Sequence, residues 1–309
     1  MSDTLVLALD IGGTNARGEV LDAGLGRPLA SASLPTPYGD GEATLTTIER
    51  LCGQLMDSLD PIDRGRVRAV GLGVPGIIEG QTGVVRLASN LGWVGTPVGD
   101  RLSERVALPV HVHHDVTVAG LAEHRLGAGA GTDDLVAVFI GTGIAATIVS
   151  GGQAVEGGLH QAGELGHVPI VPDGRPCPCG QRGCLEMYCS ARAIGHAYAA
   201  AIGRPGATSL DVVNDLGTDP RADAVWAEAI DWLAHGLMGV ITLLSPSRLV
   251  LGGGLSAAGD TLVVPLRERL LALAHVATVP PIVTAQLGQR AGVLGSALAT
   301  FRRLDVASL

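Results

Sequence analysis

Short apolar runs that stop at glycine set the pattern of this chain. Leu5 to Leu9 is hydrophobic without interruption and ends in Asp10-Ile11-Gly12-Gly13-Thr14-Asn15, after which alternating residues continue through Val20. That pattern predicts a strand, a tight turn and a returning strand. It recurs at Leu135 to Ile140, followed by Gly141-Thr142-Gly143-Ile144 and a second strand through Val149. Other buried strands are expected at Val67 to Val74, closed by Pro75-Gly76, at Val110 to Val112, and at Ser247 to Leu251, which runs into Gly252-Gly253-Gly254. Leu45, Ile48, Leu51, Leu55 and Leu59 recur at spacings of three and four and predict a helix over 44–59. Helical patterns also cover 116–126, 186–202, 222–244 and 291–302, whereas 151–158 reads as a glycine-rich hairpin or loop and the polar stretch 203–220 as a surface excursion.

The two glycine turns carry the first hint of chemistry. A strand running into Gly-Gly leaves backbone N–H groups pointing outward, and Thr14 adds a hydroxyl, so the turn can cradle a phosphate while Asp10 reaches a metal or its water shell. An ordinary hairpin uses the same residues. The lysine of a Walker A loop is absent. Three glycines after the 247–251 strand permit close approach to a flat ligand, or make a simple loop. Asn90 in the loop before Trp93 either bonds a ligand hydroxyl or caps a turn. Asp115, between a strand and a helix, is either an N-cap or a general base.

Composition narrows the classes. The 309 residues allow two domains or one large one, and 47% hydrophobic content supports substantial cores. Aromatic residues are only 3%, too few for a single-stranded nucleic-acid platform, and a net charge of −9 without a basic block argues against nucleic acid or anionic membrane as the main partner. Every apolar stretch is short or interrupted, and the start goes directly into a strand without a positively charged leader, so a cytoplasmic location is expected.

The densest chemistry lies between Glu164 and Glu186, ELGHVPIVPDGRPCPCGQRGCLE. His167, Cys177, Cys179 and Cys184, held on glycine and proline turns, suit tetrahedral zinc with no open position, a structural metal. Separate buried thiols or a disulfide are the alternative, although Cys177 and Cys179 are too close to bridge each other without strain. Cys52 and Cys189 read as core residues.

The order Glu164-x-x-His167, then Cys177-x-Cys179-Gly180-x-x-Gly183-Cys184-x-Glu186, resembles the zinc-bearing signature of the ROK family of sugar kinases and sugar-responsive repressors. The resemblance continues in order from Asp10 to Gly254. It implies an α/β fold of the actin-like (ribonuclease H-like) two-lobed ATPase class with a cleft between the lobes. Residues 1–118 with the helix 291–309 would form one lobe, and 119–290, with the zinc loop, the other. The implied reaction is transfer of the γ-phosphate of ATP, with Mg²⁺, to the 6-hydroxyl of glucose or N-acetylglucosamine. Asp115 would be the base. Gly76, Asn90, His114, Asp115, Glu164, His167 and Glu186 would line the sugar site. Asp10, Gly12, Gly13, Thr14, Asn15, Gly141, Thr142, Gly143, Gly253 and Gly254 would hold the nucleotide. Family members are commonly dimers or tetramers.

One departure stands out. The usual Glu-Asn-Asp-Ala-Asn is here His113-His114-Asp115-Val116-Thr117, which replaces the amide beside the base with an imidazole and alters the expected sugar pocket. Polyphosphate as donor would call for a basic track, and none is evident. The rival reading is a non-catalytic sugar-sensing regulator. Family repressors carry a DNA-binding module ahead of the first phosphate strand, whereas only four residues precede Leu5.

Overall fold

A computed structural model describes residues 4–79 and 82–304. The chain forms two compact units. One takes the segment ending at Ala122, the insert Glu156–Gln161 and the chain from Gln289 onward; the other takes Glu123–Val155 and Ala162–Gly288.

The first unit is built on β1 (Leu5–Ile11), β2 (Asn15–Asp22), β3 (Ala30–Pro35), β4 (Val67–Val74) and three further strands, β5 (Ile77–Glu79), β6 (Val84–Ala88) and β7 (Trp93–Pro97), before β8 (Val110–His114). The main sheet has the order β3-β2-β1-β4-β8. The β1–β2–β3 meander is antiparallel, and β1, β4 and β8 are parallel. Leu5 to Leu9 are all inaccessible to solvent because helices cover the sheet. A central strand buried on both faces reads as a continuous apolar run, which is why β1 was so visible.

Helix 41–57 lies over β2 and β3, and helix 291–303 packs on β1 and β4. The second contact is unusually close. A side chain at Gly71 would meet Thr300 Oγ1 at 2.1 Å and the Ser296 carbonyl at 2.6 Å, and one at Gly73 would meet Ser296 Oγ at 2.9 Å. Small residues on both surfaces therefore let helix and sheet backbones approach, and ten of the thirteen helix residues are buried.

The second unit repeats the strand order with β9 (Leu135–Ile140), β10 (Ile144–Ser150), β11 (Gln153–Ala154), β12 (Arg248–Gly252) and β13 (Ile282–Thr284), arranged β11-β10-β9-β12-β13. Again the first strand turns back antiparallel on the second and runs parallel to the fourth. Helix 220–244 opens with Asp219 as N-cap and Pro220 in its first turn, a favourable start. It is long and apolar enough to cross a membrane by length and composition, yet Trp226, Ile230, Leu233, Leu237 and Ile241 are buried in this unit's core. The fully buried Glu123 carboxylate accepts N–H bonds from Ala128, Gln286 and Leu287 at 3.0, 3.1 and 2.8 Å, so its desolvation is compensated by three donors.

Several expectations need correction. The polar stretch 203–220 contains a helix, Ser209–Asp215, held by a capping box between Thr208 and Asp211. The 186–202 helix is two, Glu186–Cys189 and Ala191–Ile202, with the Ser190 hydroxyl capping the second. Helices 98–106 and 260–273 and the β5–β6–β7 sheet were not anticipated. Pro265 inside the 260–273 helix and the irregular inside-outside pattern of β5 to β7 hide those elements from periodicity.

The close approach makes a paired stability prediction. Gly71→Ala should lose roughly 1–3 kcal/mol through overpacking. Gly53→Ala, at an exposed position in helix 41–57 with open space around it, should gain up to about 1 kcal/mol. Chemical denaturation of both variants reads the two signs; equal effects would contradict the packing account.

Candidate active site

In the first unit, β1 delivers Asp10 just before the turn, and the strand register sets it opposite Arg17 on β2. The turn is less open than its glycines suggested. The Gly12 N–H closes it by donating to the Asn15 carbonyl at 3.0 Å, which leaves the exposed Gly13 and Thr14 N–H groups without partners among the described residues. Those two amides and the Thr14 hydroxyl are the donors an anion could use.

Asp10 is pressed against the first turn of helix 291–303, where a side chain at Gly292 would meet its carboxylate at 2.5 to 2.7 Å. Burial, and then the like charge of Asp115, push the Asp10 carboxyl up to about 7, with Arg17 opposing. A buried carboxylate facing a second carboxylate is a natural seat for a cation's hydration shell.

Asn90 comes to the same turn, its amide nitrogen 3.4 Å from where a Gly13 side chain would begin. Trp93 does not join it. The indole is buried and its N–H donates to the Gly41 carbonyl at 3.0 Å, so it ties the loop to helix 41–57 rather than offering a face to a ligand. Gly76 has a φ of 114°, and a side chain there would strike the Leu87 carbonyl at 2.2 Å; packing against β6 accounts for this glycine.

β8 ends in the departing motif and passes directly into helix 115–126. Asp115 Oδ1 accepts the Val116 N–H at 2.7 Å, so the carboxylate does cap its own helix, while the side chain keeps 26% exposure. His114 Nε2 lies 3.6 Å from Asp115 Oδ1, and its Nδ1 lies 3.2 Å from the Thr117 hydroxyl. His113 instead faces inward, and burial pushes it down to about 3, a neutral imidazole.

In the second unit, the Gly141 N–H donates to the Gly143 carbonyl and the Ala191 N–H to the Gly141 carbonyl, both at 2.9 Å, which fastens this turn to the start of helix 191–202. Glu186 lies beneath it. The carboxylate is mostly buried, and a side chain at Gly143 would meet its Oε2 at 2.8 Å. Of the three glycines after β12, Gly252 lies against the Phe139 ring and Gly253, with a φ of 79°, against the Ile140 backbone; only Gly254 faces open space. The first two are explained by packing.

The cysteine loop gathers the four expected ligands. Single ligand atoms of His167, Cys177, Cys179 and Cys184 all lie within 4.8 Å of one another. Cys179 and Cys184 sulfurs are 3.7 Å apart, and Cys177 Sγ is 3.8 Å from His167 Nδ1. A tetrahedron with zinc–sulfur bonds of about 2.3 Å has edges of about 3.8 Å, so the donor set fits. Burial pushes the Cys177 thiol up to about 12, and a divalent cation is the agent that would hold a thiolate there. With Nδ1 in the cluster, His167 Nε2 faces Glu164 Oε2 at 3.9 Å, a donor beside an acceptor. Glu186 Oε1 lies 3.6 Å from Cys177 Sγ, so this carboxylate touches both the cluster and the glycine turn.

The model of the ROK family matches residues 6–302. The chain belongs to the ROK family. The glucokinase of Halalkalibacterium halodurans is 33% identical, with 96% of this chain and 94% of that protein covered. The N-acetyl-D-glucosamine kinase of Pectobacterium atrosepticum is 30% identical over 94% of this chain and 96% of that one. A ROK glucokinase from Streptomyces griseus, solved in complex with glucose and AMPPNP, superposes with a TM-score of 0.82 at 31% identity, covering 96% of this chain and 98% of the other. The expected family and the actin-like α/β fold class are borne out.

Within this ROK chain, sequence reasoning overlooked two residues that govern Asp10. Arg17 could have been found by counting across the hairpin from Asp10, since Ile11 opposes Ala16. Gly292 had no local signal, because the contact spans nearly the whole chain.

The Asp10 environment sets a pH dependence. Its carboxyl titrates higher in the folded protein than in the unfolded chain, so the stability associated with the bound proton is present at low pH and is lost as pH rises toward and through about 7. Asp10→Asn should therefore melt near the wild-type temperature around pH 4 and above it at pH 8. A gap independent of pH would show that Asp10 is not the group responsible.

Proposed function

We propose that this protein is an ATP-dependent sugar kinase that transfers the γ-phosphate of ATP to the 6-hydroxyl of glucose or N-acetylglucosamine. The observation that carries the reading is the grouping, within one unit, of the Gly13–Thr14 donors, Asn90, the buried Asp10 and a part-exposed Asp115. Its support from relatives is that both kinds of sugar kinase match at about this level of identity over nearly the full chain.

Phosphoryl transfer to an alcohol requires positioning, charge neutralisation and a proton acceptor. Asp115 accepts the hydroxyl proton, and Asn90 holds a neighbouring hydroxyl. Gly13, Thr14 and the second turn at Gly141, Thr142 and Gly143 donate to phosphate oxygens, with Gly12 and Asn15 closing the first turn and Gly254 beside the nucleotide. Mg²⁺, seated at Asp10 or its water shell, would supply neutralisation of the β- and γ-phosphate charge. Glu164 accepts and His167 Nε2 donates to one sugar hydroxyl, the 3.9 Å gap between them being open to an oxygen that does both. Zinc on Cys177, Cys179, Cys184 and His167 Nδ1 would keep the proton of that ring on Nε2. Glu186 completes the sugar contacts. A reaction that consumes ATP belongs with the cytoplasmic pool of that nucleotide, and a cytoplasmic location is part of the proposal.

The decisive measurement is ADP release with a panel of glucose, mannose, N-acetylglucosamine and N-acetylmannosamine. Sugar-stimulated release, with the highest kcat/KM for glucose or N-acetylglucosamine, is expected; sugar binding without release would make the chain a sensor. Asp115→Ala should lower turnover by roughly a hundredfold or more while calorimetric sugar binding persists. Elemental analysis should find about one zinc per chain, and Cys184→Ser should lose both the metal and thermal stability. A wild-type protein purified without zinc yet fully active and equally stable would remove the metal from this account.

A further inference from the structure

Two of the replacements that set this motif apart from the family pattern, His114 and Thr117, touch each other. His114 Nδ1 lies 3.4 Å from the Thr117 backbone nitrogen and 3.2 Å from the Thr117 hydroxyl. The backbone N–H can only donate, so Nδ1 is the acceptor and the ring proton of the neutral imidazole sits on Nε2. Nε2 lies beside Asp115, 3.6 Å from Oδ1, in electrostatic reach and just beyond hydrogen-bond distance.

We infer that His114, locked by Thr117, is a positioning residue for the Asp115 carboxylate and not a sugar ligand. The inference rests on the kinase reading for the role of Asp115 and on geometry alone for the rest. One imidazole nitrogen is committed to Thr117, and the other, Nε2, is held 3.6 Å from Oδ1, close enough to act on the carboxylate electrostatically. Both donors near the carboxylate, Val116 N–H at 2.7 Å and His114 Nε2 at 3.6 Å, gather on the same oxygen, Oδ1. Oδ2 has no hydrogen-bond partner among the described residues and is the oxygen presented for proton acceptance. The Val116 hydrogen bond and the imidazole beside it, both on the Oδ1 side, bias the rotation of the carboxylate, and rotational placement of a base is what catalytic proton transfer depends on. The imidazole and the hydroxyl that orients it thus act on the base and spare the sugar. A consequence is that sugar preference in this chain is set elsewhere, by residues other than His114 and Thr117.

The test uses the full-length, zinc-loaded protein and the variants His114→Ala, His114→Gln, Thr117→Val and the double His114→Ala/Thr117→Val, each checked by thermal melting. His114→Ala should lower kcat roughly tenfold, because the carboxylate loses the neighbour that biases its rotation. Calorimetric Kd for glucose and for N-acetylglucosamine should stay within about twofold of wild type, and the ratio of kcat/KM between the two sugars should not move. Thr117→Val should give a smaller loss in kcat, and the double variant should be no worse than His114→Ala, because the residues act as a unit. His114→Gln, which keeps an N–H donor of similar reach, should recover part of the loss. A weakened sugar Kd, a shifted sugar ratio, or additive losses would overturn the inference. If His114→Ala is unaffected while Asp115→Ala is inactive, this inference fails and the kinase reading stands. Nitrogen-15 spectra of labelled histidine give an arm independent of turnover: the Nε2–H tautomer at His114, disturbed in Thr117→Val, is expected, and an Nδ1–H tautomer would overturn the inference even in a protein that turns over no sugar.

Discussion

The first unit depends on one steric condition, that helix 291–303 and the β1–β4 sheet meet nearly backbone to backbone. Gly71 on the sheet leaves no room for an added carbon beside Ser296 and Thr300, Gly292 on the helix leaves none beside the Asp10 carboxylate, and Gly295 leaves none beside Val118 of helix 115–126. Close packing of this kind gains dispersion contacts over the whole length of the helix and excludes water from the end of β1. Asp10 sits at that end. Its raised pKa is thus a product of packing: the helix that stabilises the sheet also desolvates the carboxylate, and Asp115 adds like charge. An acid held under such tension favours a cation nearby, and this links the hydrophobic architecture to phosphoryl chemistry.

The two units share a strand order but use their glycine turns differently. In the first, the Gly12 amide is consumed by the turn itself and two donors remain outward. In the second, the turn is tied to helix 191–202 and rests on the Glu186 carboxylate, which in turn touches Cys177. Thus a side chain expected only to meet sugar also underpins a phosphate-type turn and borders the cysteine cluster. The glycine at 143 has a stated reason, the carboxylate beneath it, whereas Gly252 and Gly253 have another, the close approach of β9 residues Phe139 and Ile140.

The motif at the end of β8 shows how a family pattern can change without losing its logic. Substituting one amide by an imidazole would leave a ring nitrogen in need of a partner, and the second replacement supplies it three residues on, within reach on the first turn of the helix. His113, one residue earlier on the alternating strand, points the other way into the core and is held neutral by burial. Adjacent histidines therefore have opposite duties, a difference created by strand geometry.

Much of this protein was legible in its sequence because the relevant interactions are local. β1 and β9 announced themselves as unbroken apolar runs, β4 as a run broken only by the exposed Arg68, the helix 41–57 as a three-four repeat, and the four metal-type ligands as a spacing on tight turns. What remained hidden depends on partners far away in the chain. The Trp93 N–H has its partner at distant Gly41, the glycines at 76 and 253 looked like ligand clearances until Leu87 and Ile140 filled the space, and nothing near Asp10 in sequence foretold Gly292. Residue type and spacing determine which groups are capable of chemistry. Burial and distance, which tertiary packing alone decides, settle which of them are free to perform it.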